Sequence, residues 1–218
     1  MTKIRNMMLG LALTFGGTTA AQAVTIVNGN FESGPAVGSG GFTTISTAHG
    51  LPGWTVNGQV DYIGSYWTGQ AGVGSHSLDL NGNVQGTISQ TLTGLTAGVT
   101  YVVSFFISGN PDNGKQPNPK QAVLVLGSGF DLISYTLTAQ NTTSNMNWQK
   151  VSYSFLQSSG TTALLALSSA TTGAYGLAVD NFSISAAPDA ATWLTMILGF
   201  GLVGAAMRRR PTFTRATA

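Results

Sequence analysis

Short segments in which apolar and polar residues alternate recur along the middle of the chain, and they constrain its fold more than any other feature. In the longest of these segments, residues 100–108, one face carries Tyr101, Val103, Phe105 and Ile107. Further segments of this kind are residues 24–27, 54–56, 59–63, 77–80, 87–92, 121–126, 132–137, 148–155, 161–168 and 177–184. Alternation with a period of two, turn residues between the segments and no helical period predict an all-β sandwich.

Two local signals refine this prediction. Asn57 and Gly58 separate residues 54–56 from residues 59–63, and Asn-Gly is a strong hairpin signal because both residues take positive φ readily. We therefore expect these two segments to pair as a hairpin. Residues 34–50 are rich in Gly, Ser and Thr, which predicts a loop.

The N-terminus has the order of a secretory signal peptide. Lys3 and Arg5 precede an apolar stretch, residues 7–20, and Ala21 and Ala23 have the spacing of an A-x-A cleavage site. Residues 1–23 are therefore predicted to be removed. The remaining chain, residues 24–187, has the length of one domain.

The C-terminus has a second tripartite order, built from Pro188, Asp189, Trp193, an uncharged stretch, Arg208, Arg209 and Arg210. The uncharged stretch, residues 190–207, predicts a single transmembrane helix. The arginines would hold its end in the cytoplasm, followed by a short cytoplasmic tail, residues 211–218. A permanent membrane anchor and a buried hairpin of the core are the alternatives.

This ending resembles the PEP-CTERM sorting signal that bacterial exosortases recognise and remove, with residues 188–210 in the place of the signal. The resemblance implies an exosortase-type processing enzyme as a partner. It also implies an intermediate in the inner membrane of a Gram-negative bacterium, and a final place at the cell surface or in the extracellular matrix.

Charge and cysteine content limit the function of the domain. Residues 24–187 contain three lysines and six acidic residues, which gives a formal net charge of −3. This composition offers no basic footprint for nucleic acid. The chain has no cysteine, so the exported domain rests on its core without disulfides, with the help of a bound ion as one option.

The order of several motifs resembles the choice-of-anchor C family of bacterial surface proteins. The motifs are Asn-Gly-Asn-Phe-Glu at 28–32, Pro-Gly-Trp at 52–54, Val-Asp-Tyr-Ile at 60–63, Ser-Leu-Asp-Leu-Asn-Gly at 77–82 and Val-Asp-Asn-Phe at 179–182. The resemblance implies a jelly-roll β-sandwich of the galactose-binding-like type, the fold of many carbohydrate-binding modules. It also implies that Glu32 and Asp180 hold a structural Ca²⁺. Backbone hydrogen bonding at strand ends is the alternative for both.

In the predicted last strand, Asp180 shares a face with Phe182 and Ile184, so we expect it to point inward.

The residues themselves indicate a second kind of site. Tyr66 and Trp67 lie in a polar loop where large aromatic residues are unexpected, and they are the predicted platform for a sugar. The side chains predicted to hydrogen-bond its hydroxyls are Asp61, Asp79 and Asn110.

Catalytic motifs are scarce. The chain has no Gly-x-Ser-x-Gly sequence and only two histidines, His49 and His76. The sequence therefore favours a non-enzymatic surface or exopolysaccharide-matrix protein with possible carbohydrate binding. A hydrolase acting on polysaccharide and a purely structural matrix protein are the alternative functions.

The two terminal signals lead to a prediction about the mature protein. Protein recovered from cells should begin near Val24 and end near Pro188, because both signals are removed. Its intact mass measures this directly. A mass that still includes residues 208–218 would contradict exosortase processing and leave a permanent anchor.

Overall fold

The computed structural model describes residues 24–69, 71, 74–188 and 190–208. Within these residues the chain forms eleven strands, one α-helix and a short 3-10 turn, Asn113–Lys115. The strands are β1 (Phe42–Ile45), β2 (Thr55–Gly58), β3 (Val60–Ile63), β4 (Ser77–Asp79), β5 (Gly86–Thr93), β6 (Thr100–Gly109), β7 (Lys120–Leu126), β8 (Gly129–Tyr135), β9 (Gln149–Leu156), β10 (Thr162–Ser169) and β11 (Leu177–Ala186). The helix is α1 (Ala190–Arg208).

The strands form two sheets in which neighbouring strands run antiparallel. The six-stranded sheet has the order β1-β3-β4-β11-β6-β9, and the five-stranded sheet has the order β2-β5-β10-β7-β8. Side chains from both sheets enclose one apolar core. The predicted all-β sandwich is confirmed.

Aromatic rings pack within this core. Phe182 on β11 stacks on Phe105 of β6 with ring centroids 4.4 Å apart, and it contacts Phe31 and Trp54 edge-on at 5.8 and 5.3 Å. Burying one side chain of this kind stabilises a fold by roughly 1.5–3 kcal/mol. Phe31 lies before the first strand, so the core also fixes the N-terminal segment.

A second, smaller apolar cluster lies on the outer side of the six-stranded sheet, and we call it the outer layer. Ile63 of β3 and Ala178 of β11 point away from the main core, where Trp67, Met146 and Trp148 pack against them. Antiparallel sheets commonly leave one face to water. Here loops cover part of that face, so polar residues that point outward from these strands are buried as well.

A β-bulge places Asp180 on this outer side. The register of β11 against β6 shifts between Asp180 and Ser183, and Asn181 has a φ of 52°. Because a bulge adds one residue to a strand, the alternation reverses beyond it. The prediction that Asp180 shares a face with Phe182 is therefore wrong: Phe182 enters the main core, whereas Asp180 lies on the side of Ala178. Asp180 is nevertheless only 1% exposed.

The hairpin predicted at Asn57 and Gly58 is wrong. β2 pairs with β5 of the five-stranded sheet, whereas β3 pairs with β1 and β4 of the other sheet. Gly58 does have the positive φ expected of this sequence, 72°. The turn residue thus serves to pass the chain from one sheet to the other.

Two further segments differ from their predictions. Residues 24–27 form no strand; instead the Val27 N–H donates to the side chain of Gln90 at 2.8 Å. The loop predicted at residues 34–50 contains β1. This strand was hidden because its four residues stand among glycines and serines and pair with β3, which lies further along the chain.

Helix α1 follows the sandwich after Pro188 and ends at Arg208. No helix in the described part of the chain is long and apolar enough to cross a bilayer, so the transmembrane helix predicted for residues 190–207 is not confirmed. The predicted signal peptide with Ala21 and Ala23, the sorting residues Asp189, Arg209 and Arg210, and the tail at 211–218 lie outside the described residues.

Candidate functional site

A pocket of about 250 Å³ opens at the end of the six-stranded sheet where β3, β6 and the segment before β11 meet. It combines aromatic, carboxylate and amide side chains. Its lining residues are Phe42, Thr44, Asp61, Ile63, Tyr66, Gly82, Asn83, Asn110, Asp112, Ala174 and Tyr175. A larger groove of about 720 Å³ runs along β2 and β5, but among the described residues its only aromatic side chain besides His49 is the buried Trp54. The smaller cavity, which we call the loop pocket, therefore has the richer chemistry.

Pairing of β3 with β4 brings two carboxylates together at this pocket. Asp61 and Asp79 are direct cross-strand partners, and such partners have Cβ atoms about 4.5–5.5 Å apart. Asp61 is half-buried and accepts a hydrogen bond from the Thr44 hydroxyl of β1 at 2.6 Å. Asp79 lies beneath the pocket and is completely buried.

The buried carboxylate of Asp79 is held by three separate parts of the chain. It accepts hydrogen bonds from the Asn81 N–H at 2.9 Å, the Gly176 N–H at 3.0 Å and the Asn110 side-chain amide at 2.7 Å. A side chain at position 176 would clash with the Asp79 Oδ1 atom. Glycine at this position therefore lets the backbone approach the carboxylate.

A chain of hydrogen bonds leads from Asp79 to the pocket wall. Asn110 donates to Asp79, and its Oδ1 atom accepts from the Asp112 N–H at 2.9 Å. Asp112 in turn accepts from the Tyr66 hydroxyl at 2.7 Å. The Tyr66 ring meets the edge of Phe42 at 5.3 Å. The deep carboxylate thus orients an aromatic side chain at the pocket.

These surroundings change the acidity of several groups. Burial raises the pKa of Asp79 to about 8, against the opposing effect of its N–H donors, and burial also raises the pKa of Asp61. The hydrogen bond to Asp112 raises the pKa of Tyr66 to about 12, so this phenol remains a donor. Burial lowers the pKa of Lys120 to about 8.

Most of the predicted sugar-contacting residues lie together. Tyr66, Asp61 and Asn110 line the loop pocket, and Asp79 lies directly beneath it. Trp67 does not belong to the group: it is 1% exposed and packs edge-on against Trp148 in the outer layer, with ring centroids 6.4 Å apart. A buried ring cannot act as a stacking platform, so the expectation for Trp67 needs correction.

Sequence reasoning missed two aromatic residues of the pocket, Phe42 and Tyr175. Tyr175 stands between Ala174 and Gly176 in a short polar turn. The criterion that selected Tyr66, a large aromatic residue in a glycine-containing loop, also fits Tyr175 and would have found it. Phe42 belongs to β1, the strand that was predicted as loop.

Glu32 and Asp180, the predicted calcium ligands, lie outside the loop pocket and close enough for the charge of Glu32 to act on Asp180. The Glu32 carboxylate accepts from the N–H groups of Ser75 and His76 at 2.8 and 3.0 Å. Burial raises the pKa of Asp180 to about 8; backbone hydrogen bonds from Asn181 and Ala71 oppose this rise, and the charge of Glu32 adds to it. The Oδ1 atom of Asp180 accepts from the Asn181 N–H at 2.6 Å.

Two buried oxygens here lack a hydrogen bond within the described part of the chain: Oδ2 of Asp180 and Oγ of Ser77. Val179 pairs with Leu78, so the next step along the two strands places Asp180 beside Ser77. Unsatisfied buried oxygens are costly, and hard cations such as Ca²⁺ take oxygen ligands. The residues fit a cation, although the described residues contain no cluster of three acidic or histidine side chains for it. Backbone oxygens would have to contribute.

Ser75, His76 and Glu32 also form a close group, but not in the geometry of a catalytic triad. The Ser75 hydroxyl and the Glu32 carboxylate both contact the same ring nitrogen of His76, Nδ1, at 3.0 and 3.1 Å. In a serine–histidine–acid triad the nucleophile and the acid use opposite ring nitrogens.

Comparison with known proteins adds three kinds of similarity. A family model described as "Protein of unknown function (DUF642)" matches residues 24–185. Halomucin of Haloquadratum walsbyi (strain DSM 16790 / HBSQ001) is 30% identical over 184 residues. The match covers 81% of this chain, and the chain spans 2% of the length of halomucin.

Three solved structures are similar to parts of this chain. A family 16 carbohydrate-binding module is 16% identical with a TM-score of 0.49, covering 73% of this chain and 98% of its own. The module TmCBM61, solved with β-1,4-galactotriose, is 18% identical with a TM-score of 0.48, covering 74% and 97%. The CBM22-1 xylan-binding domain of Paenibacillus barcinonensis Xyn10C is 18% identical with a TM-score of 0.44, covering 79% and 100%.

The raised pKa values lead to a prediction about stability. Between about pH 4 and pH 8 the folded state keeps protons on Asp79 and Asp180 that the unfolded state releases, so the free energy of unfolding should fall as pH rises. Asp79→Asn and Asp180→Asn should each reduce this fall by about 1–3 kcal/mol between pH 5 and pH 8. Urea denaturation in a chelating buffer at a series of pH values measures the free energy of unfolding.

Asp131→Asn is the control, because it makes the same substitution at a carboxylate that is exposed on β8 rather than buried. A wild-type pH profile in both buried-site variants would contradict the prediction.

Proposed function

We propose a function for this chain, which belongs to the DUF642 family of proteins of unknown function: it is an exported domain that binds carbohydrate in the loop pocket and leaves it chemically unchanged. One observation carries the proposal. The pocket combines half-buried aromatic rings with fixed carboxylates, the two kinds of group that recognise the apolar faces and the hydroxyls of a sugar.

The hydrogen-bonding groups of the pocket suit hydroxyl donors. Thr44 occupies one oxygen of Asp61, and Tyr66 occupies one oxygen of Asp112. The second oxygen of each carboxylate is then available to accept from a ligand hydroxyl, and charge-assisted bonds of this type are strong. Because existing hydrogen bonds already orient both carboxylates, binding requires little further ordering.

The shape of the pocket favours the end of a glycan over its middle. A cavity of about 250 Å³ is slightly smaller than the roughly 300–1,000 Å³ of typical small-molecule sites. Tyr66 and Tyr175 lie on its lining and provide the apolar surface. We infer that a terminal sugar unit enters the pocket while the rest of the glycan stays outside.

Asp79 supports binding rather than hydrolysis. Glycoside hydrolysis needs two carboxyl groups that both reach the scissile bond. Asp61 lines the pocket, but its neighbour Asp79 is completely buried and accepts N–H groups from three parts of the chain. A polysaccharide hydrolase is therefore the second hypothesis, and a purely structural matrix protein the third.

The proposal includes a structural Ca²⁺ at Glu32 and Asp180. Its support is the pair of unsatisfied buried oxygens on Asp180 and Ser77. Bound there, the ion would supply positive charge to two carboxylates. Glu32 belongs to the N-terminal segment and Asp180 to β11, so these two residues would join the ends of the domain through it.

The proposal also includes export and delivery to the cell surface or extracellular matrix. Its support is the sequence: the signal-peptide pattern, the motif resemblance to choice-of-anchor C proteins and the PEP-CTERM-like order from Pro188 to Arg210. An exosortase-type enzyme is the proposed processing partner, and polysaccharide is the proposed ligand outside the cell.

Carbohydrate binding can be tested on the proposed mature protein, which comprises residues 24–187. The protein should bind members of a glycan array, and Asp61→Ala or Tyr175→Ala should weaken binding about tenfold or more, since each removes a charge-assisted hydrogen bond or an aromatic contact. Phe130→Ala is the control, because Phe130 is 78% exposed on β8, away from the pocket. Release of reducing ends from a bound polysaccharide would support the hydrolase instead, and absence of any glycan binding would leave the structural role.

Calcium binding has its own test. At pH 8, Ca²⁺ should raise the melting temperature relative to a chelating buffer, and the increase should shrink at pH 5, where Asp180 is protonated. Asp180→Asn should abolish the increase, whereas Asp131→Asn should keep it. Equal melting temperatures with calcium and with chelator in the wild-type protein would rule out the site.

A further inference from the structure

The charged side chains that line the loop pocket are both acidic. They are Asp61 and Asp112. None of the described residues that line the pocket is basic. The nearby Lys120 is completely buried, and its ammonium group donates to the backbone oxygens of Tyr175 and Gln116 at 2.8 and 3.2 Å.

From this arrangement we propose that the pocket selects uncharged sugar units and rejects anionic ones, such as uronic acids and sulfated sugars. The inference rests on the proposed carbohydrate binding and names the class of ligand. A uronic acid differs from its hexose by a carboxylate in place of a hydroxymethyl group. In the pocket that carboxylate would face Asp61 or Asp112, without a basic side chain to pair with it.

The repulsion is local and therefore strong. Asp61 is half-buried, and Asp112 is tied to Tyr66 at the pocket wall, so neither carboxylate can turn freely into solvent. Like charges a few ångströms apart at a partly buried site repel far more than they do in bulk water. An incoming anion would also displace the water that hydrates the two carboxylates. Hydroxyls, by contrast, donate to the same oxygens.

Matched pairs of ligands provide the test. Binding of short gluco-, galacto- and manno-oligosaccharides is compared by calorimetry with binding of the same oligosaccharides that carry a terminal uronic acid. We expect each neutral ligand that binds to have an affinity about tenfold or more higher than that of its uronate. The preference should decrease as salt is raised, because salt screens the partly exposed charges.

Two isosteric variants locate the effect. In Asp112→Asn and Asp61→Asn the amide oxygen can still accept the hydrogen bond of Tyr66 or Thr44, so each variant removes one charge and keeps the shape. Each should reduce the preference for the neutral ligand at least threefold. Asp131→Asn removes the same charge from β8, outside the pocket, and should leave the preference unchanged.

The outcomes separate this inference from the proposed function. Equal binding of neutral and uronate ligands, or tighter binding of the uronate, would overturn the inference and leave carbohydrate binding intact. A preference that Asp131→Asn reduces as much as the pocket variants would also overturn it, because the cause would then be the overall charge of the domain. Binding of neither ligand class would overturn the proposed function and this inference with it.

Discussion

The completely buried carboxyl group of Asp79 connects the parts of the chain that build the loop pocket. Removing a polar group from water is costly unless hydrogen-bond partners replace the water. Here the partners come from Asn81 after β4, Asn110 after β6 and Gly176 before β11. Each of these segments must therefore be in place for the fold to accept Asp79. The requirement fixes the relative positions of the pocket loops, and through Asn110 and Asp112 it also orients Tyr66.

Strand β11 shows how one element can serve both the core and the outer face. Before its bulge, Ala178 and Asp180 face the outer layer; after it, Phe182 enters the core between Phe105 and Trp54. Without the extra residue, either the carboxylate or the phenyl ring would lie on the wrong side of the sheet. The positive φ of Asn181 is the local adjustment that allows both. Stability and the proposed cation site are thus linked through one backbone irregularity.

Local patterns in the sequence predicted much of this fold. Period-two alternation identified ten of the eleven strands within the described residues, and it placed Leu78 in the core and Asp79 on the opposite face. The pairing of strands was harder, because Asn57 and Gly58 favour a local turn equally in a hairpin and in a crossing between sheets. The partners that decide between these, β5 and β4, are distant in sequence. Trp67 was misjudged for a similar reason: nothing near it shows that Trp148, eighty-one residues later, covers it.

The direction of the long strands has a consequence for how the domain is displayed. β6 runs from Thr100, whose backbone oxygen accepts from the Ala187 N–H, to Gly109, next to Asn110 of the pocket. Ten residues of strand extend about 33 Å, so the pocket and the point where the chain leaves the sandwich are at opposite poles. A domain tethered through its C-terminal segment would therefore hold its pocket on the side that faces away from the point of attachment. Its reach into the surrounding medium would be set by the length of the sandwich itself.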